Sequence, residues 1–155
     1  MARKRSTSTS SVRWQTPELT LTAERAYRKL YEDAEECAKA GDTSNSKITL
    51  FNMVDEAITK LIPHNPLDPA RALSGPLSNI FRISKGRIRI CYIASSDERR
   101  IIILYISESL RKAGDVGDPY AVFTKMVMSG QFDNLFASLG IKPPPRRSGQ
   151  QYSIQ

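Results

Sequence analysis

Histidine occurs once and cysteine twice among the 155 residues, and each scarcity removes a class of chemistry. Cys37 and Cys91 show no CxxC spacing, so neither a zinc site nor a redox dithiol is suggested. Two lone cysteines suit a reducing cytosol, where they pack as small hydrophobes, and a cytoplasmic protein is expected. His64 cannot form a two-histidine acid–base pair within one chain. It lies among Pro63 and Pro66 and reads as a surface or loop-packing residue. There is no GxGxxG, Walker loop, HExxH or GxSxG, which removes the nucleotide, zinc-protease and serine-hydrolase signatures. The longest apolar runs, such as 101–106, are far too short to span a bilayer, and no membrane partner is expected. Arg3, Lys4 and Arg5 are followed by serine and threonine, not an apolar stretch, so a secretory signal is not expected. No internal repeat is visible.

What is present is an ordinary globular composition, 40% hydrophobic and 25% charged. The length suits one compact domain with a tail at each end, able to bury most of its apolar surface without staples. Lysine and arginine total 23 against 16 acidic residues, a net charge of +7. That surplus favours a polyanionic partner: RNA, DNA, the ribosome or an acidic protein. The plain alternative is surface charge that only confers solubility.

Residues 1–11 lack apolar periodicity, and a disordered basic tail is expected there. A short strand is predicted over 12–15, anchored by Trp14, before Pro17 breaks regular structure. From Thr22, apolar residues recur at three- and four-residue steps: Ala23, Ala26, Tyr27, Leu30, Tyr31, Ala34, Cys37 and Ala38. This predicts a helix with Thr22 as N-cap, Glu24 in its first turn and Gly41 as its stop. A second amphipathic helix is predicted over 46–61, with Leu50, Phe51, Val54, Ile58 and Leu61 on its apolar face and Pro63 at its end. The short polar link 42–45 makes the pair an antiparallel hairpin. Residues 63–76 are proline-rich and expected to be irregular. The period then changes to two. Residues 81–83, 87–93 and 101–106 read as strands of an antiparallel meander, with tight turns at 84–86 and 95–98. Asp118-Pro119 is a helix start, followed by Tyr120, Val122, Phe123, Met126 and Val127 and closed by Gly130. A short helical turn is expected within 132–139. The ordered domain is placed at 12–140, with a flexible tail at 141–155. The fold class is α+β, with an N-terminal helical hairpin on one face of an antiparallel sheet and a C-terminal helix. The second sheet face is left free to be polar.

Alternation along 87–93 puts Arg87, Arg89 and Cys91 on one face and Ile88, Ile90 and Tyr92 on the other. The isoleucines belong against the helices, so the arginines fall on the open face. Arg82 lies between Phe81 and Ile83 and points outward likewise. The turn contributes Lys85, and Arg111 and Lys112 follow the last strand. Tyr105 and Ser107 share a face opposite Leu104 and Ile106, in a register that alternation alone leaves open. Guanidinium forks hold phosphate bidentately, and an aromatic ring can stack a base. The plain alternative is that polar side chains occupy the wet side of a half-covered sheet. The density of cations on adjacent segments is the signal for a site. Glu35, Glu36, Asp55 and Glu56 fall on predicted helices, where acidic residues usually form the wet face. The strand face carries almost no carboxylate, Glu108 excepted, so neither a metal nor another cofactor is expected.

A family resemblance rests on these and neighbouring residues. Gly86-Arg87-Ile88-Arg89-Ile90 resembles the glycine–arginine–aromatic–arginine–aliphatic strand of RelE/ParE toxins. A longer pattern is more specific. Asn65-Pro66-Leu67-Asp68-Pro69-Ala70-Arg71 is similar to the NPxxPA loop of YhaV toxins, and Leu73-Ser74-Gly75 to the LxG step before their sheet. Leu110-Arg111, Gly114 and Asp118-Pro119-Tyr120-Ala121-Val122-Phe123-Thr124-Lys125-Met126 resemble that family's LR…G…DAYxVFxKM segment. Trp14 falls where the family carries a tryptophan, and the similarity covers roughly residues 14–130. The chain departs from the family pattern at three places, of which the first and last lie close to the site, and in its tails. Ile106-Ser107-Glu108-Ser109 replaces a slightly longer segment, Ile88 stands for the aromatic between the arginines, and Ala113 stands for a tyrosine before the loop glycine.

The resemblance implies a RelE-like fold and an mRNA interferase acting on translating ribosomes. It also implies a cognate antitoxin, in this family usually PrlF-like and of the AbrB type, and so a toxin–antitoxin hetero-oligomer. Cleavage in the superfamily implies no metal. The RNA's 2′-hydroxyl attacks the adjacent phosphorus in line, the 5′-oxygen leaves, and a 2′,3′-cyclic phosphate or 3′-phosphate remains. On that reading Arg87 and Arg89 grip the scissile and flanking phosphates, and Arg82, Lys85 and Lys112 extend the RNA track. Arg111, the family-matched arginine beside the last strand, stabilises the transition state; its alternative role is an ion pair with Asp115 or Asp118. The general base is left open among Lys85, Lys112 and Glu108. Tyr105 either stacks a base or donates a proton. Asp118, Pro119, Tyr120, Phe123 and Met126 read as cap and core. Two other functions fit the basic sheet: a ParE-like inhibitor of DNA gyrase, or an RNA- or ribosome-binding module without catalysis.

Overall fold

The computed structural model describes residues 13–42, 46–108 and 119–144, with backbone alone at Glu108, Pro119 and Tyr120. The expected tail at 1–11 lies outside the described residues, as do the Asp118 cap and the C-terminal residues beyond 144. Helix α1 (Leu21–Lys39) begins one residue after its cap, Thr20, whose Oγ1 accepts from the Ala23 amide at 3.0 Å. The N-cap is therefore Thr20, where the backbone is still extended, and not Thr22. The same hydroxyl donates to the Leu104 carbonyl at 2.9 Å, so the cap also ties the helix to the sheet. Gly41, at φ +84, ends the helix as expected. Gly41 and Asp42 donate to the Ala38 and Cys37 carbonyls, the Schellman pattern.

Helix α2 (Ser46–Glu56) packs back on α1 through Leu50, Val54 and Phe51, completing the expected hairpin. Tyr27 and Tyr31 of α1 both set their rings 5.4 Å from Phe51. The helix does not end before Pro63. It widens into a π turn, Ala57–Leu61, and resumes as α3 (Ile62–His64). Proline has no N–H for the ordinary helical bond, and the wider turn takes up that discontinuity. No helix among the described residues is long and apolar enough to cross a membrane.

The sheet has four strands in the order β1-β4-β3-β2. They are β1 (Glu18–Leu19), β2 (Phe81–Lys85), β3 (Ile88–Ser95) and β4 (Arg100–Glu108). β2, β3 and β4 form the expected antiparallel meander, but β1 pairs parallel with β4. The short N-terminal strand is thus at 18–19, not 12–15. Residues 13–15 run alongside instead, with the Gln15 amide donating to the Arg99 carbonyl at 2.8 Å and Trp14 resting on the hairpin core. A bidentate pair, Arg100 Nε and Nη2 to Glu18 Oε2 and Oε1 at 2.8 and 2.9 Å, clips β1 to β4. The β2–β3 turn is Gly86-Arg87 and not 84–86. Lys85 and Ile88 are the last paired residues, and Gly86 alone takes the positive φ, +58, of a type II′ turn.

Both sheet faces are covered, which corrects the expectation of one open polar face. The hairpin packs on Ile88, Ile90, Tyr92, Ala94, Ile101, Ile103 and Ile106. The opposite face buries Cys91, Ile93, Ile102 and Leu104 beneath α4 (Pro119–Met128) and α5 (Asp133–Ser138), through Phe123, Val127, Phe132 and Phe136. A near-continuous apolar strand such as 101–104 needs cover on both sides. Beyond α5, Ile141 packs on this second core, and the Lys142 carbonyl accepts from Asn79 Nδ2 at 3.0 Å.

Candidate nucleic-acid interface

The second core stops short of the β2–β3 turn, and the polar side chains begin there. Two cross-strand rows share that face. Arg82 stands opposite Cys91, which stands opposite Tyr105; Ser84 stands opposite Arg89, which stands opposite Ser107. Directly paired residues bring their Cβ atoms within about 5.5 Å, so these rows form one continuous patch. Arg82 and Ser84 are exposed, Arg89 and Tyr105 half-buried, and Ser107 buried.

A bulge between Cys91 and Tyr92 builds the patch. Strict alternation places Leu104 and Tyr105 on opposite faces. The extra residue in β4 instead lets both pack on the second core, while Ile106 returns to the first. Tyr105 lies with its ring 5.4 Å from that of Phe123 at 25°, a stacked pair. α4 therefore sets the ring's position, and among the described residues the Tyr105 hydroxyl has no hydrogen-bond partner.

Arg89 is anchored from behind. Its Nη1 donates to the Gly86 carbonyl at 2.8 Å and to the Ile88 carbonyl at 3.0 Å. Nε and Nη2 have no partner among the described residues, which leaves a pre-positioned donor edge of the kind that addresses a phosphate. Arg87 is the second residue of the turn, beside the carbonyls that hold Arg89. Lys85 is a correction. It alternates with Phe81 and Ile83, which pack on the hairpin core, and pairs with Ile88, so it falls on the other face. Glu108 ends β4 opposite Ile88, and its side chain lies outside the described residues. Arg111 and Lys112, with the alternative partners Asp115 and Asp118, lie outside the described residues altogether.

Cys91 sits in the patch but is no nucleophile. Burial pushes its thiol up to about 12, against the opposing field of Arg82, and a protonated buried thiol is inert. Among the described residues, no group of three His, Cys, Asp or Glu side chains is placed to hold a metal ion. Ser84 lies in β2 on the face of Arg82, and the expected turn at 84–86 leaves it out of the strand. The alternation of Arg82 and Ser84 with apolar Phe81 and Ile83 was the available signal.

Residues 17–142 match a family described as YhaV toxin, a toxin with endonuclease activity, of toxin–antitoxin system. The chain belongs to the YhaV toxin family. It is accordingly a toxin with endonuclease activity, the counterpart of an antitoxin. No curated protein matches the chain by sequence. Solved structures are similar to it as well, among them the following two. A chain of the RelBE2 toxin–antitoxin complex of Mycobacterium tuberculosis is 21% identical with a TM-score of 0.46, covering 64% of this chain and 95% of that one. The isolated RelE toxin of E. coli is 14% identical with a TM-score of 0.40, covering 74% and 98%.

In this member of the family the NPxxPA loop and its following arginine are architecture. Asp68 caps a 3₁₀ turn at Pro69–Arg71 by accepting from the Ala70 amide. Arg71 Nη1 reaches the Asn65 carbonyl at 3.2 Å, the Leu61 carbonyl at 3.5 Å and the Tyr92 hydroxyl at 3.4 Å. Tyr92 in turn donates to the Pro66 carbonyl at 2.7 Å and stacks on Phe81. Burial raises the pKa of this phenol, with Arg71 opposing, so it remains a neutral donor. Arg71 thus satisfies carbonyls left at the end of the helical hairpin and fixes the loop to β3. His64 is exposed beside it, the surface residue expected.

Proposed function

We propose that the endonuclease activity of this toxin is directed at mRNA on translating ribosomes, and that cleavage is a metal-independent transesterification by the RNA's own 2′-hydroxyl. The observation that carries this reading is the convergence of Arg82, Arg89 and Tyr105 on one face, beside the Arg87 turn. Such a reaction asks the protein to align the 2′-oxygen, phosphorus and 5′-oxygen, to neutralise charge on the phosphorane oxygens, and to move two protons. Arg89, braced on the turn carbonyls, presents Nε and Nη2 to a phosphate. Arg82 and Arg87 extend the cationic path along the backbone. Tyr105, held by Phe123, stacks a base or supplies a proton to the leaving oxygen. Arg111 is the further cation of the transition state, and Lys112 a further RNA contact and the base, since Glu108 shares the cross-strand row of Ile88 and Lys85 and not that of Arg89. Lys85 lies across the sheet and is left at the rim. The described part of the patch offers cations and hydroxyls and no carboxylate, which supports a route that uses no metal ligands. The partner we expect is an AbrB-type, PrlF-like antitoxin.

The test is mapping mRNA ends after induction of the wild-type chain and of an Arg87→Ala/Arg89→Ala variant. New ends within translated messages, absent with the variant, are the expected result. Intact message with growth arrest and DNA damage would replace this reading with gyrase inhibition. Intact message with ribosome binding would replace it with a non-catalytic module.

A further inference from the structure

On the hairpin side of the sheet, away from the arginine patch, the N-terminal segment and the helices enclose a cleft of about 440 Å³. That volume is in the range of small-ligand pockets. Trp14, Leu19, Tyr27, Ile58 and Pro63 give it apolar walls, and Asp55 contributes a carboxylate. Asp55 is held in place from two sides. Its Oδ1 accepts from the Tyr27 hydroxyl at 2.8 Å, and its carbonyl accepts from Thr59 Oγ1 at 2.7 Å. Burial and the Asp55 contact push the Tyr27 phenol up to about 12, so Tyr27 stays a neutral donor to the carboxylate. Among the described residues Asp55 forms no ion pair, and its Oδ2 has no partner. Ile58 and Thr59 belong to the π turn Ala57–Leu61, a distortion that recurs at functional sites.

We propose that this cleft is a docking pocket for an arginine or lysine side chain presented by a partner protein. The Asp55 carboxylate disfavours the phosphates that the arginine patch attracts, so the cleft suits a cation better than nucleic acid. Apolar and aromatic walls match the methylene stem of a long basic side chain, and its charged tip completes the open side of Asp55. Long side chains seated in pockets are how protein interfaces concentrate their affinity. The inference does not rest on the nuclease reading, since pocket and patch are on opposite faces of the sheet.

Trp14 is the only tryptophan of the chain, so its fluorescence reports on the pocket. Titration of the full chain with a blocked Ala-Arg-Ala peptide is expected to change that emission saturably. The citrulline counterpart, similar in shape and uncharged, is expected to bind roughly tenfold more weakly. Asp55→Asn keeps the acceptor for Tyr27 and the side-chain volume, and it is expected to weaken the arginine peptide by about the same factor. A short RNA is expected to leave the emission unchanged. Absence of a saturable change, equal binding of the citrulline peptide, undiminished binding by Asp55→Asn, or a response to RNA would each overturn the proposal.

Discussion

Arg89 carries two duties on one guanidinium, bracing the β2–β3 turn with Nη1 and facing outward with Nε and Nη2. Arg89→Ala is expected to lower the rate of RNA cleavage about 10²-fold or more, measured with purified protein whose folding is checked by circular dichroism. Arg89→Lys is expected to recover little, because one ammonium cannot brace the turn and fork a phosphate together. Tyr92 offers the opposite case. It is buried and donates to Pro66, so Tyr92→Phe is expected to cost about 1–2 kcal/mol in urea unfolding while the folded variant cleaves normally. The positions of Arg82 and Arg89 were legible, because alternation with isoleucine fixes their face. The bulge that moves Leu104 and the carbonyls that occupy Arg71 were not. Both depend on strands and loops distant in sequence, which no local pattern encodes.

Elements divide along the same line. The hairpin and the meander announce themselves through periods of three to four and of two. The β1 strand does not, because two residues have no period and their place is set by pairing with β4, distant in sequence, with the ion pair from Glu18 to Arg100 alongside. That pair has a pH signature. The hydrogen bond from Arg100 holds the Glu18 carboxyl below the usual carboxylate range. A depressed folded pKa means that the stabilisation is complete above the unfolded value and is lost as pH falls through the folded one. The stability difference between wild type and Glu18→Gln is therefore expected to be small near neutrality, as suits an exposed pair, and to vanish in acid. A difference that grew below pH 4 would contradict the clip. The β2–β3 turn gives a second test. Gly86 has φ +58, and an added Cβ would stand 3.3 Å from Met53 Cε. Gly86→Ala is expected to cost about 1 kcal/mol or more from the positive φ alone and to lower cleavage as well, since Arg89 hangs from the Gly86 carbonyl.

At the scale of the molecule, one sheet is pressed between two cores, and among the described residues the end near the turn is left polar on the face of Arg82 and Arg89. Composition could announce the charge surplus but not that both faces would be covered, because an apolar strand reads alike whichever layer covers it. The surplus of +7 predicts RNA binding that weakens with salt, with a log–log slope of about −0.7 per phosphate neutralised. Arg82→Ala should make that slope shallower by about one such step. The central claim is that the patch holds RNA in a geometry where its own 2′-hydroxyl breaks the chain. The most direct test compares a short RNA containing a mapped cut site with the same strand carrying a single 2′-deoxy nucleotide there, both in the presence of a chelator. The account predicts a 2′,3′-cyclic phosphate or 3′-phosphate end from the first and no cut in the second. Equal cleavage of the deoxy strand, or loss of activity with chelator, would contradict it.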